Sequence, residues 1–309
     1  MHAAPLSGRC AVVTGGAGGL GLEIVLGLAR LGARVIIADR DVAGGEAAVR
    51  RVSGEGSGGT AEFRKLDLGN LQRVREFAAA LNADSGAVDI LVNNAGLLPP
   101  VQRATTADGY ELAFGVNYLG HFALTGALLP ALLRGARTRV VSVSSIAHRG
   151  AHIAFDDLQL EHGYVPSRAY AQSKLACLMF AYALQRRAAR TGGRIASLVA
   201  HPGVSRTSIG EAWNHESRRG MRDRLERWAS NVSMRWLSQT PAQGAQPALY
   251  AATSPDAVGG GFYGPGGFQQ LQGSPKAVRA SRRALDVAAQ ERLWTVSERL
   301  TGIGYAELR

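Results

Sequence analysis

Six short apolar runs, each followed by a segment long enough for a helix, leave this chain few folds to choose from. The runs Arg9–Thr14, Ala33–Asp39, Ala61–Leu66, Val88–Val92, Arg139–Ser144 and Arg194–Ala200 read as strands. Most are dominated by apolar residues, as expected when helices cover both faces of a parallel sheet. Parallel neighbours need crossover connections, and the helical segments between the runs supply them. With 309 residues, 46% of them hydrophobic and 19% charged, the chain can bury a large core. No Pro/Ser-rich linker and no second glycine fingerprint divides it, so residues 1–309 are expected to form one domain.

The first strand enters a glycine turn, Gly15 to Gly21, that feeds a helix running to about Leu31. Two registers fit it: Thr14-Gly-x-x-x-Gly19-x-Gly21 and Gly16-x-Gly18-x-x-Gly21. In either, residues without Cβ let the backbone approach a pyrophosphate, whose charge rests on N–H groups and on the positive end of the helix dipole. Asp39 ends the second strand 18 residues after Gly21. From there a carboxylate accepts from the adenosine ribose and repels a 2'-phosphate, which favours NAD. Gly18 puts no basic side chain in the loop, whereas Arg40 could pair with a phosphate and keeps NADP possible. Asp67, beside Leu68 at the third strand's end, could accept from an adenine amino group or cap the helix beginning near Asn70. Asn93-Asn94-Ala95-Gly96 places small and amide residues where the backbone passes a ribose. These features predict an α/β fold: a single Rossmann-type, doubly wound parallel sheet of about seven strands.

The chemistry centres on Tyr170-Ala171-Gln172-Ser173-Lys174. On a helix from about Ser167 to Arg190, the tyrosine and lysine share one face, a turn apart. A nearby ammonium favours the phenolate, so the phenol can both give and take a proton. Ser144 and Ser145 reach the C-terminal edge of the fifth strand, where open α/β sheets present their chemistry. Asn117, inside the helical region Thr105–Leu133, is either a core hydrogen-bond knot or part of the site.

Taken in order, Thr14-Gly-x-x-x-Gly19-x-Gly21, Asn93-Asn94-Ala95-Gly96, Asn117, Ser145, Tyr170-x-x-x-Lys174 and Pro202-Gly203 resemble the short-chain dehydrogenase/reductase family, of classical type. The resemblance covers roughly residues 8 to 265. Ser144-Ser145-Ile146-Ala147-His148, the long interval from Ser145 to Tyr170 and His201-Pro202-Gly203 are similar to its retinol-dehydrogenase-like branch, bacterial members included. That branch's membrane-anchoring N-terminal helix is not expected here. Asp39 also departs from it, because the branch's usual strand end, with an arginine and no acid, goes with NADP.

The resemblance implies hydride transfer between a nicotinamide and a hydrophobic alcohol or carbonyl compound. Tyr170 would be the general acid/base, with Lys174 activating it and holding the nicotinamide ribose. Ser145 rather than Ser144 would donate to the substrate oxygen, and Asn117 would hold a water linking Lys174 to solvent. Gly15, Gly18, Gly19, Leu20 and Gly21, then Asn94, Ala95 and Gly96, would line the cofactor. Pro202, Gly203 and Val204, with Thr207, would close over the carboxamide. The alternatives are an NADPH ketoreductase in which Arg40 overrides Asp39, and a redox-silent nucleotide-binding protein on the same fold.

The formal charge of +11 raises the question of a nucleic-acid or membrane partner. Only three of the 35 basic residues are lysine (Lys65, Lys174, Lys276), and the arginines are scattered rather than massed. No nucleic-acid partner is expected. No apolar run of about 18 residues occurs, so no membrane span is expected, and the cytoplasm is the expected location. Cys10 and Cys177 have no metal or redox spacing. His148 and His201 lack carboxylate or cysteine company at ligand spacing, so no metal is expected, although His148 could line a substrate pocket.

Past the sixth strand the rhythm breaks. Residues 205–240 hold Trp213, Trp228 and Trp236 among seven arginines, and predict a helical lid over a bulky hydrophobic substrate. Pro241–Thr253 reads as a helix and Gly259–Tyr263 as the last strand, after which Gly264–Gly267 turns the chain out. Residues 268–309 form an extension whose helical arm, Ala277 to about Leu300, packs either on its own chain or on a partner in a homodimer or homotetramer.

Overall fold

The computed structural model describes residues 5–56, 58–84, 86–203 and 239–308. Strands β1 (Cys10–Thr14), β2 (Arg34–Asp39), β3 (Thr60–Lys65), β4 (Ile90–Asn93), β5 (Thr138–Val143), β6 (Ile195–Ala200), β7 (Phe262–Pro265) and β8 (Pro275–Ala277) form one sheet in the order β3-β2-β1-β4-β5-β6-β7-β8. All neighbours are parallel except β7 and β8. The order reverses between β1 and β4, and the crevice outside those strand ends is where such sheets bind ligands.

Helices α1 (Gly19–Arg30), α2 (Val42–Gly54), α3 (Leu71–Ala83), α4 (Gly120–Ala127), α5 (Leu129–Arg134), α6 (Pro166–Arg190), α7 (Pro241–Thr253) and α8 (Val287–Thr301) complete the described chain. Successive strand residues point to opposite faces, and the sheet therefore feeds two cores. Val12, Ile36, Leu91, Val140 and Val199 pack with Phe77, Phe122, Leu178 and Trp294 of α3, α4, α6 and α8. Ala11, Val13, Val35, Ile37 and Leu198 pack with Ile24, Leu28, Ala48 and Ala248 of α1, α2 and α7.

Four boundaries differ from expectation, and one of them is the C-terminal helix: it begins at Val287 rather than Ala277, because Pro275–Ala277 joins the sheet and Ser281 caps a separate short turn, Arg282–Leu285. The helix expected from Thr105 starts only after Glu111, because Gly109 (φ +84°) turns the chain and Thr105 bridges back to Glu111. The buried Glu111 carboxylate then accepts from the N–H groups of Ala113 and Phe114 at 3.0 and 2.7 Å, and the first turns, Phe114–Leu119, are π-helical. β7 begins at Phe262 rather than Gly259, since the preceding glycines form a turn closed by Gly261 N–H on the Val258 carbonyl at 3.0 Å. The sheet has eight strands. Gly264 and Pro265 belong to β7, and after the turn from Gly266 the chain returns as β8, antiparallel to it.

The C-terminal arm packs on its own chain. Trp294 of α8 stacks on Phe180 of α6 at 5.8 Å between ring centroids, meets Phe122 of α4 at 5.2 Å, and carries the Arg187 guanidinium 4.0 Å above its ring. Glu291 pairs with Arg187 and Arg186 at 2.5 and 2.7 Å, and those hydrogen bonds, Arg187's first, pull its carboxyl down to about 2. Gly302 ends α8 at φ +65°, a left-handed cap that favours glycine. Truncating an aromatic at the centre of this cluster leaves a cavity, so Trp294→Ala is expected to cost about 3–5 kcal/mol of stability. Chemical denaturation at neutral pH checks it; a loss below about 1 kcal/mol would mean that the arm is not part of the core.

Candidate active site

The glycine turn adopts one of the two registers. Gly15 and Gly19 have φ of +66° and +53°, and a Cβ on Gly21 would lie 1.9 Å from the Gly15 carbonyl oxygen. Gly18 is extended at φ −161° with open space around it. The working pattern is therefore Thr14-Gly15-x-x-x-Gly19-x-Gly21. α1 begins at Gly19 with no side-chain cap, which leaves its first N–H groups to a ligand anion.

A cleft of about 810 Å³ opens along the C-terminal strand edge. Gly15, Gly18, Gly19, Leu20, Gly21, Asp39, Arg40, Asp67, Leu68, Asn94, Ala95, Gly96, Ser145, Tyr170, Lys174, Pro202 and Gly203 all line it. Val204, Thr207 and the expected lid as far as residue 238 lie outside the described residues. Asn117 is fully buried behind the wall.

Asp39 fastens the glycine turn to the end of β2. Its two carboxylate oxygens accept from Ala17 N–H and Asp41 N–H, each at 3.1 Å. Asp67 accepts from Gly69 N–H at 2.8 Å, and the cap of α3 is Asn70, whose side chain accepts from Arg73 N–H. The capping alternative for Asp67 thus falls to Asn70, and Asp67 remains on the cleft wall.

Thr14 ties the turn to the β4 end. Its hydroxyl oxygen accepts from the N–H groups of Asn94 and Ala95 at 2.9 and 3.0 Å. The hydroxyl lies 2.8 Å from His121 Nε2, while His121 Nδ1 lies 2.9 Å from the Asn117 carbonyl oxygen. A carbonyl can only accept, so Nδ1 carries the proton and Nε2 accepts from Thr14. Burial holds this neutral imidazole's pKa down at about 4, and the Lys174 charge adds to the effect.

Asn117 spends its side chain inside the protein. Its oxygen accepts from Leu97 N–H at 2.9 Å, and its amide donates to the Leu97 carbonyl at 3.1 Å and to Ser173 at 3.0 Å. These bonds tie it into the core, with its oxygen bordering the same glycine, Gly96, as the Lys174 ammonium. Lys174 is 5% exposed, donates to the Val143 carbonyl at 3.1 Å and places its ammonium 5.9 Å from the Tyr170 ring centroid. A Cβ on Gly96 would come within 3.1 Å of that ammonium, so glycine leaves it room.

The serines divide their work. Ser144 is buried and donates to the Lys174 carbonyl at 2.7 Å, bracing α6 against β5. Ser145 is half-buried on the cleft wall and accepts from Ala147 N–H at 3.2 Å, which leaves its hydroxyl hydrogen for a ligand. Sequence reasoning missed His121, Ala17 and the apolar wall of Leu97, Leu98, Val116, Ile146 and Ala147. For His121 a signal existed, its position one helical turn after Asn117. Among the described residues no His, Cys, Asp and Glu cluster could hold a metal.

A glycine cradle, an open helix start, a carboxylate at the β2 end and a serine, tyrosine and lysine on the far wall fit a nicotinamide dinucleotide. The short chain dehydrogenase family profile matches residues 9–218, and the chain belongs to that family of oxidoreductases, which act on CH–OH groups with NAD or NADP. Among characterised relatives, human retinol dehydrogenase 13 is 37% identical over 99% of this chain and 88% of its own length. Human polyprenol dehydrogenase is 35% identical over 97% of this chain and 87% of its own. A crystal structure of an uncharacterised Mycobacterium paratuberculosis protein superposes with a TM-score of 0.78 at 38% identity, covering 98% of this chain and 97% of that one.

Proposed function

We propose that the chain is an NAD-preferring dehydrogenase or reductase of a hydrophobic alcohol or its carbonyl partner. The observation that carries this reading is that Ser145, Tyr170 and Lys174 line the same cleft as the glycine turn and Asp39. The nicotinamide supplies the hydride chemistry when bound. Tyr170 takes the substrate hydroxyl proton in oxidation and returns it in reduction. The Lys174 ammonium stands 5.9 Å from the Tyr170 ring centroid, and its bond to the Val143 carbonyl fixes the direction from which it acts. Ser145 donates to the substrate oxygen and steadies the charge that develops there. Pro202 and Gly203 border the carboxamide end.

The hydrophobic substrate is supported by the apolar residues of the cleft lining, among them Leu97, Leu98, Ile146 and Ala147, and by the retinol and polyprenol in the relatives' names. The preference for NAD rests on Asp39: both its oxygens are tied to backbone N–H groups, so its charge is fixed beside the ribose position. A 2'-phosphate there meets a fixed negative charge. Thermal melting with matched NAD, NADH, NADP and NADPH tests it, since a ligand bound only by the folded state raises the midpoint. The shift is expected with NAD and NADH.

Gly18 provides the converse. Its extended backbone suits any residue, and its side-chain direction is open. The pair Gly18→Arg and Asp39→Asn is expected to move the preference toward NADP by on the order of a hundredfold, about 2.8 kcal/mol. A wild-type protein stabilised only by the phosphorylated pair would sink the assignment and favour Arg40 and carbonyl reduction.

A further inference from the structure

We propose that His148 and His201 are positioning residues, through which the C-terminal segment 266–285 holds Ser145 and the Pro202–Gly203 turn in their working places. The inference rests on the reading of those two places given above. Both histidines are 1% exposed, and their rings flank Phe262 of β7, at 5.4 Å for His148 and 5.2 Å for His201.

Backbone donors fix both tautomers. Gly203 N–H donates to His201 Nδ1 at 3.1 Å, so Nε2 carries the proton and donates to the Gln270 side-chain oxygen at 3.1 Å. Ser281 N–H donates to His148 Nε2 at 3.3 Å, so Nδ1 carries the proton and donates to the Ser145 carbonyl at 2.6 Å. Each imidazole therefore joins one catalytic-edge backbone group to one group of the C-terminal segment. The two chains of bonds do not share a member.

The backbone around these anchors is held in place at some expense. Gln269 and Gln270 adopt φ of +49° and +62°, a left-handed conformation that side chains disfavour and that persists only where surroundings enforce it. That conformation carries the Gln270 amide to His201. Gly203, at φ +71°, lies so close to the Leu271 carbonyl that a Cβ would come within 2.3 Å of its oxygen. Gln239 donates to both the Pro202 and Leu271 carbonyls, at 3.1 and 2.9 Å. The turn bordering the carboxamide is thus set from behind by the segment that follows β7.

The two histidines should separate in kinetics. His201→Phe keeps a ring against Phe262 but loses the Gly203 acceptor. It is expected to raise the cofactor KM on the order of tenfold and to shrink the NADH-induced melting shift, with kcat within about threefold. His148→Phe is expected to lower kcat on the order of tenfold with the cofactor KM within about twofold, because Ser145 moves and the cofactor site does not. The asparagine variants restore the lost bonds, His201→Asn through its amide oxygen on Gly203 N–H and His148→Asn through its amide nitrogen on the Ser145 carbonyl. Both should return most of the loss. If the phenylalanine variants fail to fold, Gln270→Leu and Ser281→Pro cut the far end of each link; Ser281, at φ −65°, already suits proline. Each should reproduce the direction of its histidine's effect.

Variants that melt lower while kcat and cofactor KM stay within about twofold would overturn the inference, leaving the histidines as core packing. So would identical effects from both, or no rescue by asparagine in a folded protein. A wild-type protein that shows no melting shift with any nucleotide overturns the reading of the cleft itself, and this inference with it.

Discussion

Tyr170→Phe is expected to lower kcat/KM on the order of a thousandfold or more while leaving cofactor binding intact. The substitution removes one oxygen from a side chain on the cleft wall and leaves the ring in place, so the fold and the cradle around Gly15, Gly19 and Gly21 stay unchanged. What is lost is the proposed proton donor and acceptor, for which no other cleft-lining group among the described residues is proposed to substitute. In the proposed reading Ser145 only steadies the substrate oxygen, and the buried His121 is committed to Thr14 and the Asn117 carbonyl. The matching measurement is the melting shift with NADH, which should persist. Retention of turnover within about tenfold would remove Tyr170 from the acid/base role, and an unchanged biological output in the variant would favour a nucleotide sensor.

Acid should destabilise the protein well before its carboxylates titrate. Burial lowers the pKa of both His121 and His201 from 6.5 to about 4. Below 6.5 the unfolded chain takes up protons at these positions and the folded chain does not, so stability is complete above 6.5 and falls as pH drops toward 4. The slope is about 1.4 kcal/mol per pH unit for each histidine, or about 2 kcal/mol each by pH 5. His148, lowered by the same cause, adds in the same direction. The Glu291 pair does not act in this window, because its stabilisation is lost only as pH falls from 4.5 through about 2. Glu111 has the opposite sign: burial raises its pKa, so its protonation in acid offsets part of the loss. Melting midpoints between pH 7.5 and 5 should fall steeply, and His201→Asn should flatten the fall. A flat wild-type profile would show that these imidazoles charge in place.

The sheet was legible because parallel strands buried on both faces leave continuous apolar runs such as Arg34–Asp39. β8 was not, because three residues, Pro275–Ala277, between glycines and a basic stretch carry no periodicity. The start of the Thr105 region was misplaced because helical pattern continues through Thr106 and Ala107, whereas Gly109 and the buried Glu111 decide where the helix begins. At the site, the cleft residues were readable because each stands at a strand end or in an ordered motif. The glycine register was not, since it depends on distances such as Gly21 to the Gly15 carbonyl rather than on the number of glycines. The roles of His148 and His201 were hidden for a similar reason: their partners, Ser281 and Gln270, lie 133 and 69 residues away.

That distance along the chain has a consequence for synthesis at the ribosome. The face of α6 that Trp294, Glu291 and Tyr305 cover is complete by Arg190, yet the contacts that seal it span about a hundred residues, and Tyr305 reaches back 183 residues to the Phe122 carbonyl. While the intervening stretch is being made, Phe122 and Phe180 have no lid of their own, and a nascent chain is left with an aromatic face open to solvent. Closure is a late, non-local event, and such events are slow and expose apolar surface to other chains. The nascent protein is therefore most in need of a chaperone in the interval between the end of α6 and the arrival of α8.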